Sequence, residues 1–550
     1  MRGAVAALSV MLLCGWAARG QEGHHHELSE EEVGSVHFAT TCGAGMSEAA
    51  KAQFDAKFDK AVALLHSFQY EDTRAAFEKI TGENPACAMA EWGVAMSHFH
   101  GLWRSGDFAA GSAAIGKARE IAKANAQTSE REKGYIEALA TAYADEKADY
   151  GARGTAFEKK MGELAAANPT DTEAQIFHAL SLKLSASPLD KTFSNEKKCG
   201  EILEPIFKEQ PHHPGVAHYI IHCYDNPALA QDGLGAARMY AKIAPASAHA
   251  NHMPSHIFTR VGSWDESIAS NIKSADIAAA QEKVSKNGEA RDQRLHAMDY
   301  LEYAYLQTGQ VTKAKAILDQ MRGFDEVQGS TLTGNYATAA IPARFAIELK
   351  NWDETLKLEP MTSGVPWARA LVWEAIGEGS AMSGKLERAA LAEKNLAELR
   401  GEAGKKSQYW SKQIEVQRLE VSALLAEQSG KRDEAMTAIR AAVKLEESMD
   451  KDAVTPGPVT PAREMLAGML MGRRRDKEAL VEYEAVLKVA PKRFNALYGA
   501  AVAANRCGDD SAAMRYFREL TETAKSEERP EVGTARTKIA EMESAANGLN

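Results

Sequence analysis

Histidine is concentrated in one short stretch of this chain. The sequence has 16 histidines among 550 residues. Seven of them lie between residues 212 and 256, namely His212, His213, His218, His222, His249, His252 and His256. Imidazole nitrogens bind zinc, copper, iron and nickel, and they exchange protons near neutral pH. The stretch is therefore the strongest candidate for a chemical site.

The spacing of these histidines is helical and repeats along the chain. Two groups follow spacings that put three side chains on one helix face, namely His218/His222/Asp225 and His249/His252/His256. The first two histidines of the first group recur 34 residues later as His252 and His256. His296 and Asp299 stand at matching positions of the following repeat. We expect three adjacent helices to direct these side chains into one concavity.

The donor types predict a transition-metal site. Packed helices lie roughly 8–10 Å apart, so imidazoles from facing helices can meet at one ion or at a close pair of ions. The predicted ligands are His213, His218, His222, Asp225, His249, His252, His256, His296 and Asp299. Tyr219, Tyr224 and Tyr300 lie near them in sequence and are candidates for orienting a substrate. A hydrogen-bonded groove for a ligand or peptide, and a purely structural network, are the alternatives.

Two prolines bear on how the histidines are presented. Pro214 directly follows His213, and proline suits the first position of a helix. Pro254 lies between His252 and His256, where it predicts a helix that kinks or begins late.

The elements that carry these residues repeat with a period of 34. Pro211 and Pro245 are 34 residues apart and close the similar segments IFKEQP and YAKIAP. A Gly-x4-Ala spacing recurs at Gly309/Ala314, Gly384/Ala389, Gly430/Ala435 and Gly508/Ala513, which we attribute to close crossing of two antiparallel helices. The pattern resembles the tetratricopeptide repeat, a 34-residue helix–turn–helix unit.

That resemblance predicts an all-α, tetratricopeptide-repeat-like right-handed helical solenoid, with a concave groove lined by the first helix of each pair. The intervals that fit are 68–85, 212–245, 246–279, 295–322, 370–397, 416–443, 460–491 and 494–521. Residues 101–160 fit poorly, and 185–198 and 323–334 are expected to be loops. Thr455–Pro461 holds three prolines in seven residues and cannot be helical.

The N-terminus is typical of an exported protein. A cationic Met1-Arg2, an apolar run and small residues at Ala18 and Gly20 predict a signal peptide. We expect a signal peptide at 1–20, an arm at 21–47, repeats with the histidine-rich groove at 48–360, C-terminal repeats at 361–525 and a charged, fraying tail at 526–550. No other apolar run approaches the ~20 residues that cross a bilayer, so a soluble periplasmic or secreted protein is expected.

Export makes disulfides possible. Five cysteines follow the signal peptide, so at least one stays free or pairs elsewhere. Our hypothesis is a Cys42–Cys87 bridge that ties the arm to the first helices. Buried free thiols are the alternative.

The overall charge limits the partners. The formal net charge is −11, which does not favour nucleic acid or an anionic membrane surface as a partner. The sequence has no Walker loop, HExxH or GxSxG motif that would indicate another chemistry.

Longer motifs resemble a family of exported bacterial tetratricopeptide-repeat proteins. They are VHFATTC, LLHSFQYED, CAMAEWGVAMS, HPGVAHYIIHCYD, HANHMPSHIFTRVGSWDES and LHAMDYLEYAYLQ, spanning about residues 35–355. The HPGxxHYxxHxxD and HxxHMPSHIF segments are the most specific parts and include most of the predicted ligands. The resemblance implies the fold and export and carries no established activity.

Two functions compete. The first is a copper, zinc or iron protein, with oxygen-activating or hydrolytic chemistry if it is an enzyme. The second is a scaffold that binds a protein or peptide in the concave groove without metal.

Overall fold

The structure is a computed structural model that describes residues 29–283, 288–324 and 332–548. The expected signal peptide and the start of the arm lie outside these residues. Within them, regular structure is helical, apart from an isolated bridge between His100 and Ser105 and a 3-10 turn at Thr41–Gly43. The all-α prediction is confirmed. No described helix combines the length and apolar character needed to span a membrane.

The helices follow one another with short connections. In chain order they are α1 Glu30–Val33, α2 Glu48–His66, α3 Tyr70–Glu83, α4 Ala88–Ser97, α5 Phe108–Ala124, α6 Glu130–Ala142, α7 Tyr150–Ala167, α8 Thr172–Ser185, α9 Ser194–Glu209, α10 Pro214–Tyr224, α11 Leu234–Ile243, α12 Ala248–His252, α13 Pro254–Val261, α14 Trp264–Glu282, α15 Glu289–Gln307, α16 Val311–Arg322, α17 Leu332–Glu348, α18 Trp352–Thr355, α19 Pro366–Met382, α20 Leu386–Gly404, α21 Gln408–Gln428, α22 Arg432–Glu446, α23 Ala462–Gly472, α24 Asp476–Val489, α25 Phe494–Cys507, α26 Asp510–Thr523 and α27 Pro530–Gly548.

The predicted repeats correspond to helix pairs that pack on their neighbours. The interval 212–245 contains α10 and α11, and 246–279 contains α12, α13 and most of α14. The five later intervals likewise hold α15/α16, α19/α20, α21/α22, α23/α24 and α25/α26. The interval 68–85 is wrong as a repeat, because it holds only α3. The chain is a tetratricopeptide-repeat-like solenoid.

The recurring Gly-x4-Ala spacing has two causes. The alanines at Ala314, Ala389, Ala435 and Ala513 are fully buried between helices, as close crossing requires. The glycines have left-handed backbones, with φ of 73°, 70°, 78° and 81° at Gly309, Gly384, Gly430 and Gly508. A Cβ at the last three of these glycines would meet no atom within 4 Å, so crowding is the wrong explanation for them. Glycine is favoured there because the turn needs a positive φ.

The segment between α22 and α23 is not helical, as the prolines of Thr455–Pro461 predict. It returns from the C-terminal half to the histidine-rich helices, where the Ala453 carbonyl accepts a hydrogen bond from Tyr300. The prediction of a fraying tail is wrong for α27, because Val532 and Ala535 are fully buried. These apolar residues attach the last helix to α26.

Candidate metal centre

Four helices bring six histidines together in the interior. They are His218 and His222 from α10, His249 and His252 from α12, His256 from α13 and His296 from α15. α12 ends at His252 and α13 begins at Pro254, so the predicted late start of a helix at this proline is observed. The six rings form two groups of three.

The first triad consists of His218, His222 and His249, whose ligand nitrogens lie within 4.8 Å of one another. His218 Nε2 lies 2.9 Å from His249 Nε2 and 3.0 Å from His222 Nε2. His218 Nδ1 lies 2.6 Å from the backbone oxygen of His66, so it holds the proton and donates. The Nε2 atom of His218 therefore presents a lone pair to the other two rings.

The second triad consists of His252, His256 and His296, whose ligand nitrogens also lie within 4.8 Å of one another. His252 Nδ1 donates to Oδ1 of Asn271 at 2.7 Å, and the amide nitrogen of Asn271 is engaged by a backbone carbonyl. His256 Nδ1 donates to Oδ2 of Asp225 at 2.9 Å. Both rings are thus fixed with the proton on Nδ1.

The facing nitrogens of His252 and His256 cannot satisfy each other. Their Nε2 atoms are 3.0 Å apart, and each presents a lone pair because the single proton of a neutral imidazole is already on Nδ1. Burial lowers the pKa of both rings, which disfavours a second proton. A cation between the two nitrogens would remove the repulsion. Metal-binding histidines are oriented in this way, by an oxygen acceptor on the other ring nitrogen.

The spacing suits a four-coordinate ion. Nitrogens bound at about 2.0–2.1 Å in tetrahedral geometry lie roughly 3.3 Å apart. The separations of 2.9 and 3.0 Å in the triads are close to this. The His296 ring centroid lies 4.3 Å from that of His252, and its buried Nδ1 has no hydrogen-bond partner among the described residues. Each triad offers three imidazole nitrogens to one ion.

The two triads face one small cavity. The ring centroids of His222 and His256, one from each triad, are 6.5 Å apart. A cavity of about 120 Å³ is bordered by both rings and by His249 and His296. That volume is large enough for a few water molecules or a small substrate between the triads.

Aromatic and charged side chains shield the histidine rings from solvent. Five of the six rings are at most 5% exposed. The Phe68 ring centroid is 4.4 Å from that of His218, and Trp103 lies 5.5 Å from His249. Lys451, from the segment after α22, contributes to the cavity wall. The six histidines thus lie in the interior, where four of them border a partly open cavity.

Asp225 is a hydrogen-bond anchor behind the second triad. Burial alone would favour its neutral form, but Lys451 and Arg260 hold the pKa of its carboxyl well below the usual range. Arg260 donates to Asp225 Oδ1 at 2.8 Å and also pairs with Asp450 at 2.8 Å. The charged carboxylate therefore fixes His256 and ties the C-terminal half to the site.

Three of the predicted residues point away from the triads. Asp299 pairs with Arg344 at 3.2 Å. The Tyr219 hydroxyl lies 2.9 Å from Nδ1 of His66, and the Tyr224 hydroxyl bonds to a glutamate of α9. Tyr300 does reach the site, with its hydroxyl 3.3 Å from Nδ1 of His256.

The predicted ligand His213 lies in a separate group, which we call the partnered cluster, with His66 and Glu173. His213 Nδ1 accepts a backbone N–H, so its Nε2 donates to Glu173 at 2.8 Å. His66 Nε2 donates to the other oxygen of Glu173 at 3.0 Å, and its Nδ1 is bonded to the Tyr219 hydroxyl. Each of these ring nitrogens has a partner, as in a structural hydrogen-bond network.

Sequence reasoning missed several residues that build the site. Asn271 belongs to a fully buried polar stripe on α14 with Ser267 and Ser274, a pattern that the sequence does show. Phe68 packs on the first triad from a left-handed backbone with φ of 54°. Lys451 comes from 226 residues beyond Asp225, and no local pattern connects the two.

Two disulfides brace this half of the chain. Cys42 and Cys87 are joined with an S–S distance of 2.08 Å, which is the pairing that the sequence suggested. Cys199 and Cys223 form a second bridge, which holds α9 to the helix that carries His222. Cys507 is a free thiol.

Fold and site together define a tetratricopeptide-repeat-like protein with a candidate metal centre. Comparison with protein-family models and with curated proteins gave no match. The human IFIT1 dimer with PPP-AAAA is 12% identical, over 88% of this chain and 93% of that chain, with a TM-score of 0.35. Yeast Tom70 is 12% identical, over 88% of this chain and 89% of that chain, with a TM-score of 0.29. At this level neither likeness bears on ligand or activity.

Proposed function

We propose that this protein binds transition-metal ions through its two histidine triads, one ion in each. The proposal rests on the Nε2 atoms of His252 and His256, which face each other at 3.0 Å while both Nδ1 protons are committed to oxygen acceptors. An ion in the second triad would accept both lone pairs. The first triad has the same spacing and a similarly anchored His218.

The donor set favours copper or zinc over iron. Each triad offers three neutral imidazoles, whereas non-haem iron sites commonly add a carboxylate ligand. Asp225 is occupied as the acceptor of His256, and Asp299 is paired with Arg344. A bound copper pair would supply oxygen-activating redox chemistry, and a zinc pair would supply Lewis-acid hydrolysis. The residues of this chain hold the rings and exclude bulk water.

A metal-free peptide scaffold is the competing proposal, and the site geometry weighs against it here. The rings of His218 and His252 are at most 2% exposed, so a peptide on the solenoid surface would not touch them. The shared cavity of about 120 Å³ is also too small for a peptide. A protein partner elsewhere on the solenoid remains compatible with a metal centre.

Export to the periplasm or medium is part of the proposal. It is supported by the N-terminal sequence and by two disulfides, which persist in oxidising compartments. Cell fractionation with an antibody to the native chain tests it, and retention of the full-length chain in the cytoplasm contradicts it.

Elemental analysis of untagged protein, purified without nickel resin, tests the metal proposal. We expect about two equivalents of copper or zinc per chain, removed by a strong chelator at the cost of a lower melting temperature. Adding back the same metal should restore the metal content and the melting temperature. Metal-free protein whose melting temperature does not respond to copper, zinc or iron contradicts the proposal.

A further inference from the structure

A cavity with a volume of about 480 Å³ lies mainly in the C-terminal half. It is bounded by α19, α21, α22 and the non-helical segment Thr455–Pro461. This volume is typical of sites for small organic ligands, which occupy roughly 300–1,000 Å³. The cavity shares Asp450 and Lys451 with the lining of the cavity between the histidine triads, and the rest of its lining is different.

One wall of this cavity is aromatic. Trp367 and Trp410 are stacked with ring centroids 5.2 Å apart and an interplanar angle of 10°. Tyr409 meets Trp410 edge-on at 4.9 Å, and Tyr336 lies 6.0 Å from it. The faces of such rings attract organic cations and cover apolar ligand surface.

Another wall carries carboxylates without basic partners. Glu374 and Glu420 line the cavity and are 1% and 0% exposed. Neither oxygen of Glu420 has a hydrogen-bond partner in the described part of the chain. Glu374 accepts a single hydrogen bond, from Gln417 at 2.8 Å. A buried carboxylate left unsatisfied is costly, which indicates a missing cationic or donor group.

The basic side chains around the cavity do not supply that group. Arg260 and Lys451 are bound to Asp225, and Arg493 is held by Glu348 at 2.6 Å and by Glu464 at 2.7 Å. Arg463 is engaged by Glu447 and Glu482. Lys191 is exposed and donates to the Met449 carbonyl. The lining therefore carries acidic groups without basic partners. Burial raises the pKa of Glu374 and of Glu420, and a bound cation would stabilise their ionised forms against this effect.

We propose that this cavity binds a small organic cation, an aliphatic ammonium group on an apolar body. The ammonium group binds at Glu374 and Glu420, where it satisfies the unpartnered oxygens, and the apolar body packs on Trp367 and Trp410. A bare divalent cation would use the carboxylates, which approach one another closely enough together with Glu378, but would leave the aromatic wall and most of the volume unused.

Calorimetric titration of the full-length protein tests this assignment. The probes are 1,5-diaminopentane, for a free amine, and N-acetyl-lysine methylamide, for a lysine side chain. The matched control is 1,5-pentanediol, which has the same length and no charge. We expect at least one amine to bind with a stoichiometry of one and the diol to bind at least tenfold more weakly. The tighter amine identifies the source of the ligand.

Two variants locate the binding in the cavity. Glu420→Gln keeps the shape and removes the charge, and we expect amine binding to weaken at least tenfold. Trp410→Phe reduces the aromatic face and provides a second measurement if the first variant fails to fold. Glu398→Gln, at an exposed glutamate of the same half, is the control and should bind as the native chain does.

Three results overturn the proposal. The first is equal binding of amine and diol, and the second is amine binding that Glu420→Gln and Trp410→Phe leave unchanged. The third is binding of calcium or magnesium with no binding of either amine, which assigns the carboxylates to a metal ion. None of these results bears on the metal proposal, because the proposed ligand contacts at Glu374, Glu420, Trp367 and Trp410 belong to neither histidine triad.

Discussion

The partnered cluster and the second triad are built from similar parts but present different atoms to the interior. In the partnered cluster, Glu173 lies between two rings and accepts a hydrogen bond from each. In the second triad, Asp225 lies behind His256, so the Nε2 atoms of His252 and His256 face each other directly. A carboxylate between two histidines completes a network, whereas a carboxylate behind one histidine directs its lone pair toward an ion.

The largest expected effect is loss of metal from the second triad. His252→Ala removes one of its three imidazoles, and we expect the bound metal to fall by about one equivalent per chain. The first triad keeps its ion because none of its nitrogens is changed. Elemental analysis after dialysis against a weak chelator measures the difference.

His66→Ala is the matched control for that experiment, since it removes a buried imidazole from the partnered cluster and keeps the backbone carbonyl that accepts the Nδ1 proton of His218. It should lower the melting temperature and leave the metal content unchanged. Equal metal loss in the two variants would remove the distinction between the two clusters.

Glu173→Gln is expected to affect stability and not metal binding. Two buried histidines donate to this carboxylate, and an amide leaves one of them without an acceptor. Hydrogen bonds to a charged group contribute about 1.5–3 kcal/mol each, so we expect a loss of about 3 kcal/mol in the free energy of unfolding. Denaturant unfolding, with elemental analysis of the same samples, measures both properties.

The control for this variant is Glu158→Gln, at the partly exposed pair with His178. It should change the free energy of unfolding by less than about 1 kcal/mol, because exposed pairs contribute little. A similar loss in both variants would mean that the partnered cluster adds no special stability.

Asn271→Ala tests the anchoring of the second triad without removing a ligand. Asn271 accepts the Nδ1 proton of His252, and its loss frees the ring to turn. Groups that orient metal ligands commonly contribute 10–100-fold to affinity, so we expect metal to bind the second triad that much more weakly. Competition with a chromophoric chelator measures the metal affinity of the second triad. Asn195→Ala, at an amide that bonds only to α8, is the control and should not change the affinity.

Much of this molecule follows from local sequence patterns. The 34-residue period located seven helix pairs, and the repeated histidine spacing located the six rings of the triads. The prediction that Pro254 begins a helix held because proline constrains the backbone directly. Such features depend on residues close in sequence.

The sequence could not separate the candidate metal ligands from histidines that only make hydrogen bonds. His213 and His218 are five residues apart, yet one bonds to Glu173 and the other faces His249. That distinction depends on α2 and α8, which pack on α10 from far along the chain. Lys451 could not be predicted for the same reason. It reaches Asp225 only because the segment after α22 returns to the histidine-rich helices.

The smallest expected effect concerns a carboxylate whose environment is opposite to that of Glu173. Histidines hold the pKa of Glu173 far below the usual range against the effect of burial. Glu378 is 2% exposed, and burial raises its pKa from 4.5 to about 8. Its contribution to stability is therefore present below about pH 4.5 and is lost as the pH rises toward 8.

Glu378→Gln should remove this pH dependence, because an amide does not ionise. A carboxyl whose pKa is higher in the folded state lowers the free energy of unfolding as the pH rises. The loss is up to about 1.4 kcal/mol per pH unit between its unfolded and folded pKa values. We expect the native chain to lose more stability than the variant between pH 5.5 and 7.5, as measured by denaturant unfolding in matched buffers. Parallel pH profiles for the two chains would show that Glu378 is already ionised at neutral pH. In that case a cation shares its environment, and the contrast with Glu173 would disappear.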